Sequence, residues 1–419
     1  MRNYNIGTLS NGLRIIHLPS TSAVIYCGIG VKAGSRHEQA GEEGLAHFCE
    51  HLSFKGTQRR TSVQVINAIE GVGGELNAFT NKEDTIFYCA IGRPYFMRAV
   101  DVLFDIVFCS EYPQEEVEKE REVVCEEIES YEDTPAELIY DEFENLVFKG
   151  HPLGHNILGT QEQVRGYTTA DAHRFAARHY RPENSIFFVS GDIDFRRLTA
   201  KLNDLMRSEG HLASGGGRPT DVEALSPHRS PLLPEGQGET LIRHRGTHQA
   251  HVMMGTTAFA ADDPRRWSLY LLNNILGGPG LNSRLNLSLR ERRGLVYSVD
   301  SSMVSYSDVG LWTTYFGCDP SDVGRCCRLV RTELKRLTGH PLNDRQLHAA
   351  KRQLQGQLAI ASDSREQFAL DFAKNFLHTG KQRDLSDIMR HIDLLTPLDL
   401  QSTAATLFSG DRLLTLIYQ

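Results

Sequence analysis

Residues 168–190 read TTADAHRFAARHYRPENSIFFVS, and residues 396–418 read TPLDLQSTAATLFSGDRLLTLIY. Thr168, Asp171, Ala176 and Tyr180 of the first stretch match Thr396, Asp399, Ala404 and Phe408 of the second, and every pair shows the same offset in numbering, 228. The first stretch reads as a helix near 169–179 followed by an apolar strand near 184–193. The same offset lays Val24 on Val252 at an opening strand, so the chain reads as two copies of one α/β unit. Further out in the first copy, Asn11-Gly12 marks a hairpin turn and AVIYCGIGVKA at 23–33 an apolar strand. DTIFYCAIG at 84–92 is strand-like and precedes an amphipathic helix near 94–109 and an acidic helix near 114–131. Residues 209–239 are rich in Gly, Pro and Ser, as a linker should be. The expectation is an α+β fold of two homologous domains, 1–208 and 240–419, each a mainly antiparallel sheet packed with helices and joined by that linker.

A length of 419 residues suits two domains, and 40% hydrophobic with 23% charged residues suits compact cores. The net charge of −8 argues against nucleic acid or an anionic membrane as the main partner, since either calls for a basic face. No apolar run is long enough to span a bilayer and the first residues carry no leader-like pattern, so a cytoplasmic protein is expected. The eight cysteines include no C-x-x-C pair and read as buried reduced thiols, the adjacent Cys326 and Cys327 among them.

Within the first copy, His47, Glu50 and His51 form the pattern H-x-x-E-H. At about 100° per residue they fall at about 0°, 300° and 40° on a helix, so all three project from one face. Two imidazoles one turn apart can chelate Zn²⁺, and the carboxylate beside them can take a proton from an activated water. Cys49 falls on the opposite side and is expected to pack. The offset of 228 puts Ile275, Gly278 and Pro279 at the equivalent places, and no histidine lies between His251 and His340. Only the first copy carries the metal motif, which makes 1–208 the expected catalytic domain.

A catalytic zinc takes three protein ligands, so a third is needed. The acidic helix presents an apolar stripe of Val117, Val124 and Ile128, bordered by Glu116, Glu120 and Glu127, while Glu118, Glu122, Glu126 and Glu129 point away. Periodicity does not choose among the three bordering acids. His151 and His155 in GHPLGHNILG have a chelate-like spacing, but Pro152 and the glycines make that segment a structural loop.

The stretches HFCEHLSFKGT (47–57), GGELNAFT (73–80) and GGPGLNSRL through RERRGLVYSV (277–299) resemble segments of the insulinase and pitrilysin family of inverted-motif zinc peptidases, especially its short-chain branch with the mitochondrial processing peptidase. That resemblance implies a third ligand at a set interval beyond the second histidine, within a stretch like EREVVCEE, which selects Glu127, and a second glutamate at Glu120 that orients the site. It implies a zinc endopeptidase with one Zn²⁺ per chain on His47, His51 and Glu127, and Glu50 as general base. Substrate, a peptide or unfolded segment, is implied to add as a β-strand along Gly74 to Thr80 in an enclosed chamber, touching Gly74, Asn77, Ala78 and Phe79. Arg290 and Tyr297 match an Arg and a Tyr that reach the zinc from another half of longer, fused relatives. A homodimer, or a heterodimer with a paralogue, is thereby implied, Tyr297 meeting the developing oxyanion and Arg290 the substrate. Spacing alone reads the same pair as a surface arginine and a core tyrosine. The competing reading is a non-catalytic peptide-binding subunit, which would ordinarily have lost a ligand or the base.

Overall fold

The computed structural model describes residues 4–208, 238–410 and 412–419. The first copy runs β1 (Asn5–Thr8), β2 (Arg14–Pro19), β3 (Val24–Val31), α1 (Leu45–Ser53), α2 (Ser62–Glu70), β4 (Glu75–Thr80), β5 (Thr85–Gly92), α3 (Phe96–Phe108), α4 (Gln114–Glu132), α5 (Pro135–Val147), α6 (Gln161–Gly166), α7 (Thr169–His179), β6 (Ser185–Gly191) and α8 (Phe195–Ser208). The second runs β7 (Thr240–Arg243), β8 (Ala250–Ala258), α9 (Arg266–Gly277), a π-type turn (Asn286–Glu291), β9 (Val296–Ser305), β10 (Gly310–Cys318), α10 (Val323–Gly339), α11 (Asp344–Ala361), α12 (Arg365–Thr379), α13 (Leu385–Leu394), α14 (Pro397–Phe408) and β11 (Leu414–Tyr418).

The repeat extends to the topology. One sheet has the order β1-β2-β6-β3-β5-β4 and the other β7-β11-β8-β10-β9, so apart from the added β1 they are the same sheet. In each a single parallel pair, β2 with β6 or β11 with β7, sits among antiparallel neighbours. The matched Thr and Asp of the two quoted stretches are one local device used twice. Thr168 and Thr396 cap α7 and α14, and Asp171 and Asp399 return the bond at 2.8 Å to the cap's own N–H.

Side chains of the first sheet alternate between two cores, as a pleated strand buried on both faces requires. Phe187 and Val189 of β6 join the core built with α1, α3, α4 and α7, whereas Ile186 and Phe188 join a second core with Phe368, Phe372, Phe376 and Leu377 of α12. Gly28 of β3 makes room for this second core, because a Cβ there would lie 2.5 Å from the Phe188 ring.

The cover of the sheets departs from a single cut in the linker. Ala361–Asp384, which includes α12, belongs to the compact unit of the first sheet, and Tyr131–Lys149, which includes α5, belongs to that of the second. These two helices occupy corresponding places in the repeat, so the copies have exchanged them. Division at 208 and 240 misses this because amphipathic spacing reveals that a helix has an apolar face but not which sheet it covers. The expected linker at 209–239 lies, apart from its last two residues, outside the described residues. No helix among the described residues is long and apolar enough to cross a membrane.

If α12 is part of the first sheet's core, Phe372→Ala should cost about 3–5 kcal/mol in denaturant unfolding and should speed amide exchange in β2 and β6. Ile360→Ala, at a side chain 77% exposed on α11, should stay within about 0.5 kcal/mol.

Candidate metal centre

Helix α1 is buried along nearly its whole length, and Leu45, Ala46, Phe48, Cys49 and Leu52 supply its apolar contacts. Its N-terminus follows Gly44 at φ 97°, a left-handed turn that favours glycine, and carries no side-chain cap of its own. The cap comes from Glu38, whose carboxylate accepts from the N–H groups of Gly44 (3.1 Å) and Ala46 (2.7 Å). The loop containing His151 and His155 closes over the same carboxylate: His155 Nε2 lies 2.8 Å from Glu38 Oε2, while His151 Nδ1 accepts from the Leu153 N–H. Those two histidines therefore do not converge on a common point. Cys49 packs away from the site near the Ala172 carbonyl, and the described cysteines are all free thiols.

On the opposite side, α4 buries Val117, Val124, Cys125 and Ile128, which turns Glu120 and Glu127 toward α1. The imidazoles of His47 and His51 have ring centroids 4.5 Å apart. Glu127 reaches both, with Oε1 3.8 Å from His47 Nε2 and Oε2 3.5 Å from His51 Nε2. Ligand atoms of the three residues all lie within 4.8 Å of one another. Tetrahedral zinc with bonds of about 2.0–2.2 Å sets its donors about 3.3–3.5 Å apart, so the distances from Glu127 to the two imidazoles nearly match it as they stand. Glu127 also remains 44% exposed, leaving one side of the group open to water, while His47 Nδ1, on the far side of its ring, is buried without a hydrogen-bond partner.

The electrostatics follow from burial. His47 has its pKa pushed down to about 3 by desolvation, with the neighbouring His51 adding to the effect, so it is the neutral ring a metal ligand must be. Desolvation also acts on His51, but the hydrogen bond to Glu120 and the charges of Glu50, Glu127 and Glu120 outweigh it and raise its pKa. The carboxylates that favour a proton on His51 would favour a cation beside it for the same reason. Glu120 Oε1 lies 3.0 Å from His51 Nδ1 and its Oε2 2.6 Å from Lys55 Nζ, and despite burial these bonds hold its pKa down. The Nδ1 bond turns Nε2 of His51 toward Glu127. Burial raises the pKa of Glu50, which accepts a 2.6 Å hydrogen bond from the Thr80 hydroxyl.

Of the three acids that helical spacing left open, Glu127 meets the imidazoles and Glu120 stands behind His51, while Glu116 pairs with Lys119 at 2.6 Å. β4 forms the edge of its sheet, with Asn77 exposed and Ala78 half-buried. The Phe79 ring lies on the α12 face, beside Tyr88 and under Lys374 Nζ at 4.6 Å. Arg290 (40% exposed) lies on the π-type turn, and Tyr297 on β9 is 83% exposed and so is not the core tyrosine that spacing alone suggests. Sequence reasoning missed Glu38, Lys55 and Thr80. Lys55 stands one turn past His51 and Thr80 ends a stretch already singled out, but only the fold shows what each touches.

The sequence model described as insulinase (peptidase family M16) matches residues 15–161, and that of the peptidase M16 inactive domain matches 167–354. An uncharacterized zinc protease of Streptomyces coelicolor is 34% identical over 95% of this chain and 85% of its own. Another, of Bacillus subtilis, is 31% identical over 98% and 97%. A protease from Helicobacter pylori has the same fold, with a TM-score of 0.89 at 22% identity over the full length of both chains.

Metal analysis after gel filtration should separate neighbouring acids on α4. Glu127→Gln should lose most of its zinc, whereas Glu126→Gln, exposed on the other side of the helix, should retain it. Equal loss from both would place the ligand elsewhere.

Proposed function

The chain belongs to the insulinase family of peptidases, family M16, and on that premise we propose that it is a zinc-dependent endopeptidase acting on peptides or unfolded segments. The observation that carries this reading is the convergence of His47, His51 and Glu127 with Glu50 and Glu120 at their side. A non-catalytic subunit would have no use for a complete set. The second copy, matched in part by a domain described as inactive, has none of it.

His47, His51 and Glu127 would hold one Zn²⁺ per chain. When bound, the ion would polarise the scissile carbonyl and lower the pKa of a coordinated water from about 15.7 to about 7. Glu50 takes the proton from the attacking water and delivers it to the nitrogen of the departing amine. Glu120, held by Lys55, keeps the His51 ring turned so that Nε2 faces the cluster. Substrate adds as a strand to the open edge of β4, its main chain paired with the backbone from Gly74 onward and its scissile bond beside Asn77 and Ala78. Phe79 takes part through its backbone, since its ring belongs to the opposite face. Arg290 and Tyr297 act on the zinc site of a second copy, which completes an enclosed chamber. A tyrosine left so largely exposed in its own unit supports that role.

Glu50→Gln should keep its zinc and lose about 10²–10⁴ in turnover of a quenched-fluorescent peptide; undiminished turnover would remove Glu50 from the role of base. The shared site has its own test. Homodimers of Glu50→Gln and of Tyr297→Phe should each be poor enzymes, and mixing them with subunit exchange should restore activity toward one working site in two. Mixed dimers that form and stay inactive would return Tyr297 to its own chain.

A further inference from the structure

Thr80 is the last residue of β4, and its register partner is Thr85, the first of β5. Their hydroxyl oxygens are 3.4 Å apart, but the Thr85 hydroxyl donates to the Ala33 carbonyl at 2.9 Å. Thr80 directs its own hydrogen to Glu50 Oε2 at 2.6 Å.

We infer that Thr80 is a positioning residue that sets the orientation of Glu50 from the strand on which substrate is laid, an inference that rests on Glu50 being the base. Glu50 is only 7% exposed, and among the described residues Thr80 is its hydrogen-bond donor. An ionised carboxylate so deeply placed needs such a donor to stay in one rotamer. Occupation of Oε2 leaves Oε1 as the oxygen that receives the proton from water and returns it to the amine nitrogen. Because the hydroxyl is carried by β4 itself, the base and the scissile bond are referred to the same piece of backbone, and misplacement by about 1 Å is enough to cost about 10²-fold in rate.

The test uses the full-length protein with Glu50→Gln measured alongside. Thr80→Val and Thr80→Ala should bind zinc as the parent does, keep KM within about twofold because the β4 backbone is intact, and lose about 10–100-fold in kcat. Thr80→Ser, which retains the hydroxyl, should recover most of that loss. In the Glu50→Gln background, Thr80→Val should cost nothing further. In the metal-free protein, Thr80→Val and Thr80→Ala, but not Thr80→Ser, should lower the melting temperature by a few degrees, since the buried carboxylate loses its donor. Parental kcat in Thr80→Val and Thr80→Ala beside an inactive Glu50→Gln would overturn the role of Thr80 and leave the base standing. Loss of zinc or a rise confined to KM would overturn it as well, by showing that the hydroxyl serves the metal site or the strand. A fully active Glu50→Gln would overturn the base reading itself, and this inference with it.

Discussion

Helix α1 is enclosed on almost every side, and it carries its polar side chains into that enclosure. Water cannot satisfy them there, so each must find a partner on a neighbouring element or cost several kcal/mol. The neighbours are arranged accordingly. Glu38 takes up the free N–H groups at the helix start, Glu120 fixes one side of His51, and Thr80 fixes Glu50. The carboxylates so enlisted have their own counter-groups, His155 for Glu38 and Lys55 for Glu120. What is left without a partner among these described groups is His47 Nδ1 and, opposite, the space among His47, His51 and Glu127. Desolvation of one helix thus sets the geometry of the whole centre.

The two copies show how little of the fold that centre requires. Sheet order, the single parallel pair and the Thr-Asp helix caps are common to both, although only one copy has a histidine on its motif helix. The shared frame is held by apolar burial and backbone pairing, and the chemistry lies in a few polar substitutions on it.

Much of this was legible before folding. The repeat of the closing helix and strand, the strands at β3, β5 and β6 and the acidic helix follow from pattern, because apolar period and turn residues are local properties; the offset of 228 itself holds for that closing pair but not for β3 with β8, whose registers differ by three residues. The motif face of α1 also follows from helical geometry. The third ligand does not. Three acids border the stripe of α4, and spacing could not rank them, since the choice depends on how two helices approach. Glu127 was singled out only by resemblance. Lys55, Thr80 and Glu38 were invisible for the same reason, each acting on a partner that lies elsewhere in the chain and that only tertiary packing brings to it. The side on which Phe79 packs was lost because its ring meets α12, an element from the far half of the sequence.

That same helix carries a consequence for how such a chain came to exist. A protein made of one copy would hold a sheet with one apolar face and a helix suited to cover the face of a twin. Left alone it would expose Ile16, Ile86, Ile186 and Phe188 to water. Two separate copies could have met that need by trading helices when they associated, at the risk of trading with the wrong partner. Joined in one polypeptide, the exchange became an intramolecular event at high effective concentration. A duplicated gene would turn a concentration-dependent swap into a permanent part of the fold, with only one of the two copies carrying the metal motif.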